Sequence, residues 1–180
     1  MKITHLLGTF LLIIYSSASS QTLNKLSANQ IMTEAYLEAK LKDKKIFLMF
    51  EASWCSLCKK LENKINEREI NEILSQEFIF RQLSVFELKN KNLENPGADK
   101  LLAEYKGLES GIPYWLILDQ NGKVLANSKF GSEEESLIGD GVNIGFPNSE
   151  QEIDSFIYKL KHSTKLNTLQ LKKIENYFKS

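Results

Sequence analysis

The sequence predicts a single α/β domain, because segments typical of strands alternate with segments typical of helices. A short apolar run at residues 46–50 is followed directly by a helical pattern of leucine and isoleucine. A second apolar run, at residues 114–118, leads into an Asn-Gly turn and another strand-like segment, which is the pattern of a β-hairpin. The chain has 180 residues, of which 42% are apolar and 26% charged. These values are ordinary for one globular domain with a sizeable core.

The first 20 residues are predicted to be a secretory signal peptide and not part of the fold. Lys2 precedes an apolar stretch at residues 6–15, and small residues at 18–20 precede Gln21. A retained membrane anchor is the alternative, but the apolar stretch is much shorter than the roughly 20 residues that span a bilayer. The sequence therefore predicts an exported protein, periplasmic or secreted, whose mature domain is residues 21–180.

The predicted elements of the mature chain begin with a helix that extends to about residue 42. Ser27 and Gln30 have the spacing of a capping box at its start. The run at 46–50 has the length and residue types of a buried central strand. Leu57, Leu61 and Ile65 then recur every four residues, which predicts one buried helix face. The remaining predicted elements are a helix at 68–76, a strand at 78–85, a turn at 95–97, a helix at 99–105, hairpin strands at 114–118 and 124–126, an insert at 127–148, a helix at 151–160 and a C-terminal helix at 167–178.

Charge and ligand inventory exclude several classes of function. The chain has 23 Lys and Arg against 23 Asp and Glu, so it lacks the basic surplus that nucleic-acid binding requires. A zinc site needs four ligands. Once His5 leaves with the signal peptide, the mature chain offers two thiols and the distant His162. A copper relay meets the same shortage of imidazole, so we expect no metal centre.

The two cysteines, Cys55 and Cys58, favour redox chemistry over a structural role. A disulfide across so short a loop stabilises the fold by only about 2 kcal/mol. In the predicted strand–turn–helix order, Cys55 lies at the helix N-terminus, where backbone N–H groups and the helix dipole lower the pKa of a thiol. Cys58 lies one turn inside the helix, within reach for a disulfide. The spacing therefore predicts one exposed nucleophile and one sheltered resolving thiol.

These motifs together resemble the thioredoxin superfamily. The sequence Trp54-Cys55-Ser56-Leu57-Cys58 follows a buried strand, and Gly111-Ile112-Pro113 precedes a hairpin. The chain looks most similar to exported thioredoxin-like modules of bacteria, including the reductase domain of the periplasmic electron relay. The resemblance implies a thioredoxin-like fold over residues 44–161, with a central mixed β-sheet flanked by helices and an extra C-terminal helix.

The resemblance also implies an activity, thiol–disulfide oxidoreductase, and roles for individual residues. Cys55 would attack a protein disulfide and Cys58 would resolve the mixed disulfide, with no cofactor beyond this pair. The Ile112–Pro113 bond would be cis, and Trp54, Ile112 and Pro113 would form the substrate-binding surface. The expected partners are protein disulfide substrates and a membrane-embedded dithiol electron donor, with the protein itself a monomer. The direction of exchange stays open, with reduction favoured.

One position departs from the family pattern. Thioredoxins usually have a buried Asp six residues before the first cysteine, and Met49 occupies that position here. Glu51, two residues along the same strand, and Glu62, four residues after Cys58, are the candidates for proton transfer. Each of them also fits the description of an ordinary surface carboxylate.

Two other functions remain alternatives at this stage. A thioredoxin-fold binding module would hold a partner without turnover, through the cis-proline surface or the insert at 127–148. That insert could also be a solvated surface excursion. A thiol peroxidase is disfavoured, because the only arginines are Arg68 and Arg81, neither of which is near the cysteines in sequence.

Overall fold

A computed structural model describes residues 25–131 and 136–180. The predicted signal peptide therefore lies outside the described residues. The chain forms a four-stranded mixed sheet made of β1 (Lys45–Glu51), β2 (Phe78–Ser84), β3 (Tyr114–Leu118) and β4 (Val124–Asn127), in the order β2-β1-β3-β4. Strand β1 runs parallel to β2 and antiparallel to β3, and β3 and β4 form the predicted antiparallel hairpin.

Strand β1 is the centre of the sheet, as its apolar run predicted. Every residue from 46 to 50 is buried, because helices cover both faces of the sheet. Side chains alternate between two cores: Ile46, Leu48 and Phe50 pack into one, and Phe47 and Met49 into the other. This alternation explains why the strand is an uninterrupted apolar run without the polar positions of a half-exposed strand.

Six α-helices flank the sheet in the described residues, and where helix ends were predicted they agree to within three residues. They are α1 (Ala28–Lys42), α2 (Ser56–Asn66), α3 (Arg68–Leu74), α4 (Ala98–Glu104), α5 (Glu150–Ser163) and α6 (Thr168–Lys179). Helices α1 and α4 pack on one face, and the other four on the opposite face. The predicted capping box of α1 is present, with Ser27 and Gln30 bonded reciprocally. This arrangement confirms the thioredoxin-like fold, including the extra C-terminal helix.

The insert at 127–148 packs against the end of β3 over its described residues. Lys129 and Asn143 form an isolated antiparallel bridge, and the Trp115 indole N–H donates to the Gly145 carbonyl at 2.9 Å. Ile144 is buried. The interpretation as a solvated excursion therefore does not fit the parts of the insert at 127–131 and 136–148.

The same face of the molecule holds a buried lysine. Lys159 of α5 is fully buried and donates to the carbonyls of Ser136 and Leu137 at 2.6 and 3.1 Å. Burial lowers the pKa of Lys159 from 10.5 to about 8. The amphipathic pattern of α5 did not predict this position, because the insert covers a side of the helix that its sequence alone leaves exposed. In residues 25–131 and 136–180, no helix is both long and apolar enough to cross a bilayer.

Candidate active site

Cys55 and Cys58 form a disulfide at the start of α2, with their Cα atoms 5.3 Å apart. Cys55 is the N-cap residue of the helix, and its Sγ accepts the Cys58 backbone N–H at 3.1 Å. The predicted position of Cys55 at the N-terminus of α2 is therefore confirmed. In the reduced form the same N–H and the positive end of the helix would stabilise a Cys55 thiolate.

The prediction that Cys55 is exposed is wrong for this structure. Cys55 is 4% exposed and Cys58 is 2% exposed. Ala52 and Ile112 pack against the pair, and Cys55 Sγ lies 3.7 Å from the Ile112 carbonyl oxygen. Ile112, which covers Cys55, is 57 positions away in the sequence. The local spacing of the cysteines therefore could not predict this burial.

Two large apolar side chains are exposed beside the disulfide. Trp54 is 50% exposed and Leu57 is 42% exposed. The prediction that Leu57 shares the buried face of α2 is wrong, although Leu61 and Ile65 are buried as expected. The first turn of α2 carries the disulfide, and the core that this helix contacts begins at Leu61.

The segment Gly111-Ile112-Pro113 forms the opposite wall of the site. The Ile112–Pro113 peptide bond is cis and lies immediately before β3. Asn143 of the insert donates from Nδ2 to the carbonyls of Gly111 at 3.3 Å and Pro113 at 2.9 Å. Its Oδ1 accepts from the Ser128 hydroxyl at 2.6 Å and the Gly145 N–H at 3.2 Å. Asn143 therefore links the insert to the loop that covers Cys55.

A second loop, Phe86-Glu87, holds the residues just before Cys55. The Trp54 indole N–H donates to the Phe86 carbonyl at 2.8 Å. The Glu87 carboxylate accepts the Ser53 N–H and the Ser53 hydroxyl, each at 2.7 Å. Glu87 is 3% exposed, yet its hydrogen bonds with Ser53 hold the pKa of the carboxyl below its ordinary value. Sequence reasoning missed Glu87, since a lone Glu before Leu-Lys-Asn has no distinguishing pattern.

The two carboxylates predicted for proton transfer lie in different places. Glu62 lines a cleft of about 280 Å³ together with Met49, the position where the family usually has a buried Asp. Glu51 instead accepts a hydrogen bond from the Ser84 hydroxyl and lines a separate cleft with Lys25 and Leu26. The structure thus brings Glu62 close to Met49 and gives Glu51 another partner.

The described chain offers little for other chemistries. No group of three or more His, Cys, Asp or Glu side chains able to hold a metal occurs within residues 25–131 and 136–180. The ring of His162 bonds the Tyr158 carbonyl on α5. Arg68 pairs with Glu72, and Arg81 pairs with Glu38. Because both arginines are engaged with glutamates elsewhere, a thiol peroxidase gains no support.

A comparison with solved structures finds proteins that are similar to part of this chain. A disulphide isomerase from Xylella fastidiosa Temecula1 is 19% identical, covering 66% of this chain and 80% of its own, with a TM-score of 0.46. A DsbH oxidoreductase is 26% identical over 70% of this chain and 85% of its own, with a TM-score of 0.44. The C-terminal domain of Neisseria meningitidis DsbD, in the oxidised form, is 22% identical. The match covers 66% of this chain and 90% of that domain, with a TM-score of 0.42. A comparison with curated proteins finds no match.

The family is established by a sequence model and not by these structures. Residues 32–131 match the model of the thioredoxin-like domain, a segment that contains both cysteines and the cis-proline. A CxxC disulfide on this fold supports a thiol–disulfide oxidoreductase. Because the match spans more than half of the chain, the protein belongs to the thioredoxin-like domain family.

Proposed function

We propose that this protein is an extracytoplasmic thiol–disulfide oxidoreductase that reduces disulfides in other proteins. The observation that carries the proposal is the Cys55–Cys58 disulfide at the N-terminus of α2, with Cys55 Sγ facing the Ile112 carbonyl of the cis-proline loop. This geometry unites a pair that can cycle between dithiol and disulfide with a backbone edge on which a peptide can bind.

Reduction proceeds in two exchange steps. The Cys55 thiolate attacks one sulfur of the substrate disulfide, that bond breaks, and the departing substrate thiolate takes up a proton. Cys58 then loses its proton and attacks Cys55 Sγ, which releases the second substrate thiol. The substrate gains two electrons and two protons, and the enzyme becomes the Cys55–Cys58 disulfide. A dithiol protein, which we expect to be embedded in the membrane, returns two electrons and two protons to this pair.

Substrate binding is assigned to the apolar surface around the disulfide. The half-exposed Trp54 supplies a large apolar contact, and the backbone beside Pro113 supplies hydrogen-bonding groups to an extended segment. Ile112 covers Cys55 in the disulfide form, so a substrate must approach the sulfur past its side chain. Strand-like pairing with the Ile112 backbone would place a substrate disulfide above Cys55.

Proton transfer to and from Cys58 is assigned to Glu62. The two residues are four apart on α2 and so lie on the same helix face. Glu62 lines the cleft beside Met49, where water can reach the carboxylate. Glu51 is bonded to Ser84, which makes it the weaker of the two candidates.

The assignment outside the cytoplasm comes from the signal-like sequence at residues 1–20. Expression of the full chain in a bacterial host, followed by cell fractionation and N-terminal sequencing, tests this point. We expect the exported protein to begin at Gln21. A protein that keeps residues 1–20 and remains in the cytoplasm would contradict it.

Turnover is tested with a protein disulfide as substrate and a chemical dithiol as the electron source. We expect Cys55→Ser to remove all measurable turnover, because the remaining thiol, Cys58, is buried inside α2 and no second thiol is left to resolve a mixed disulfide. A binding module without turnover predicts instead that wild type is inactive and that Cys55→Ser binds a partner as tightly as wild type. Replacing the protein disulfide with a hydroperoxide distinguishes a peroxidase, which would consume it through Cys55.

A further inference from the structure

Glu87 places a negative charge close to the redox pair. Its carboxylate bonds both the N–H and the hydroxyl of Ser53, two residues before Cys55. Two residues of chain span at most about 7 Å between Cα atoms. The residue between them, Trp54, bonds the Phe86 carbonyl beside Glu87. The carboxylate is therefore fixed against the turn that carries the nucleophile.

Among the described residues, no lysine or arginine forms an ion pair with Glu87. The charges of Lys25 and Lys91 act on Glu87, but Lys25 Nζ bonds the Ser84 hydroxyl and the Leu93 carbonyl, and Lys91 Nζ pairs with Glu94. Glu94 in turn accepts the Glu87 backbone N–H at 2.8 Å. The buried carboxylate is thus held as an anion chiefly by the two Ser53 donors, which leaves its field acting on the active-site turn.

We propose that Glu87 is a positioning residue that also sets the redox equilibrium of the Cys55–Cys58 pair, favouring the disulfide over the dithiol. A negative charge near Cys55 destabilises its thiolate and raises the pKa of the thiol. A less stable thiolate makes the reduced form less stable, which makes the dithiol a stronger reductant. This inference rests on the proposed function, because a stronger reductant matters only if the protein reduces disulfides. It would give a physical cause for the proposed direction of exchange.

The field of Glu87 opposes that of the helix. The N-terminus of α2 and the Cys58 N–H favour the Cys55 thiolate. Glu87, bonded to Ser53 just before Trp54 in the sequence, offsets part of this effect. We therefore expect the pKa of the Cys55 thiol to be higher than in a site where only the helix N-terminus acts on the nucleophile.

The test is the variant Glu87→Gln, which keeps an oxygen acceptor for Ser53 and removes the charge. The equilibrium measured is enzyme disulfide plus two glutathione thiols against enzyme dithiol plus glutathione disulfide. We expect the variant to shift this equilibrium about three- to tenfold toward the dithiol. This is the effect of removing one charge that is bonded two residues before Cys55. The pKa of the Cys55 thiol, followed by thiolate absorbance of the reduced protein, should fall in parallel.

Two further variants separate charge from structure. Ser53→Ala removes the hydroxyl donor to Glu87 but keeps the Ser53 N–H donor and the charge. We therefore expect an unchanged pKa of the Cys55 thiol and a redox equilibrium within twofold of wild type. Glu77→Gln removes a partly buried carboxylate next to Lys45, at the opposite end of β1 from the disulfide, and should also leave both unchanged. If Ser53→Ala shifted them as far as Glu87→Gln does, the role would be structural and the inference would be overturned.

The role of Glu87 is tested separately from the proposed function. The pKa of Cys55 is measured on chemically reduced protein and requires no turnover of a substrate. An unchanged thiol pKa in Glu87→Gln would overturn the role of Glu87 even if the enzyme reduced proteins well. Should Glu87→Gln not fold, as judged by circular dichroism, Glu87→Asn replaces it: a fall in the pKa of the Cys55 thiol supports the charge account, and an unchanged pKa contradicts it.

Discussion

The two loops that flank the disulfide are held by different chemistry. On one side, the buried carboxylate of Glu87 binds the turn before Cys55. On the other side, the neutral amide of Asn143 binds the carbonyls on either side of Ile112. The insert that carries Asn143 also contacts an ionisable group, Lys159, through the carbonyls of Ser136 and Leu137.

Burial has different consequences for the charges of Glu87 and Lys159. Glu87 and Lys159 are both buried, but hydrogen bonds from Ser53 keep the pKa of Glu87 low, whereas desolvation lowers that of Lys159 to about 8. Glu87 therefore retains its charge at neutral pH, and Lys159 loses it in mild alkali. We expect changes on the Glu87 side to alter the redox equilibrium and changes on the insert side to alter stability and substrate capture.

The largest effect we expect is on the pH dependence of stability through Lys159. Its pKa is lower in the folded than in the unfolded chain, so between about pH 8 and 10.5 the unfolded state binds more protons and stability rises with pH. The contribution amounts to up to about 3 kcal/mol. Urea denaturation of wild type and Lys159→Met across this window should show that the free energy of unfolding rises with pH for wild type relative to the variant.

The matched control is Lys161→Met, an exposed lysine on the same helix. Burial raises the pKa of Tyr114, which lowers stability near pH 10, but this effect is common to all three proteins and cancels in the difference. A wild-type to Lys159→Met difference that is flat from pH 8 to 10 would show that Lys159 is not desolvated in solution.

A smaller effect is expected from Asn143→Ala on substrate capture. The variant loses its contacts with Gly111 and Pro113, which frees the loop that carries Ile112. We expect kcat/KM for a protein disulfide to fall about tenfold, as for one or two lost hydrogen bonds, with the glutathione equilibrium within twofold of wild type.

Asn148→Ala serves as the control for that variant. It lies in the same insert, where its side-chain amide donates to the Phe146 carbonyl and its backbone N–H donates to Glu152 of α5, so activity should stay at the wild-type level. If Asn143→Ala changed the redox equilibrium as much as Glu87→Gln, the two loops would not have the separate roles proposed here, one in the redox equilibrium and the other in substrate capture.

The smallest effect concerns proton transfer. Glu62→Gln should slow the second exchange step about threefold at neutral pH, since water can partly replace one carboxylate. Glu51→Gln should leave the rate within experimental error, because Glu51 is bonded to Ser84. Stopped-flow fluorescence of Trp54 during a single turnover measures both. Equal slowing in the two variants would remove the distinction between the carboxylates.

Local patterns predicted most of the fold. The apolar run at 46–50, the capping box at Ser27 and the Asn-Gly turn each depend on neighbouring residues, and each formed the expected element. The placement of Cys55 at the start of α2 followed from the same logic.

Features that depend on distant residues could not be predicted in this way. The burial of Cys55 depends on Ile112, the anchoring of Ser53 depends on Glu87, and the burial of Lys159 depends on the insert. None of these contacts has a local sequence signature. Leu57 fits a helical repeat that holds for Leu61 and Ile65, but at the first turn of α2 that repeat no longer faces the core.

The most direct test of the account is the reduction potential of the Cys55–Cys58 pair in the mature protein. Equilibration in glutathione and dithiothreitol buffers, with Trp54 fluorescence as the signal, measures it. We predict a potential below about −220 mV, in the range of the reducing members of this class. A potential between about −180 and −120 mV would make the protein an oxidant or isomerase, and the absence of a reversible couple would contradict the redox function altogether.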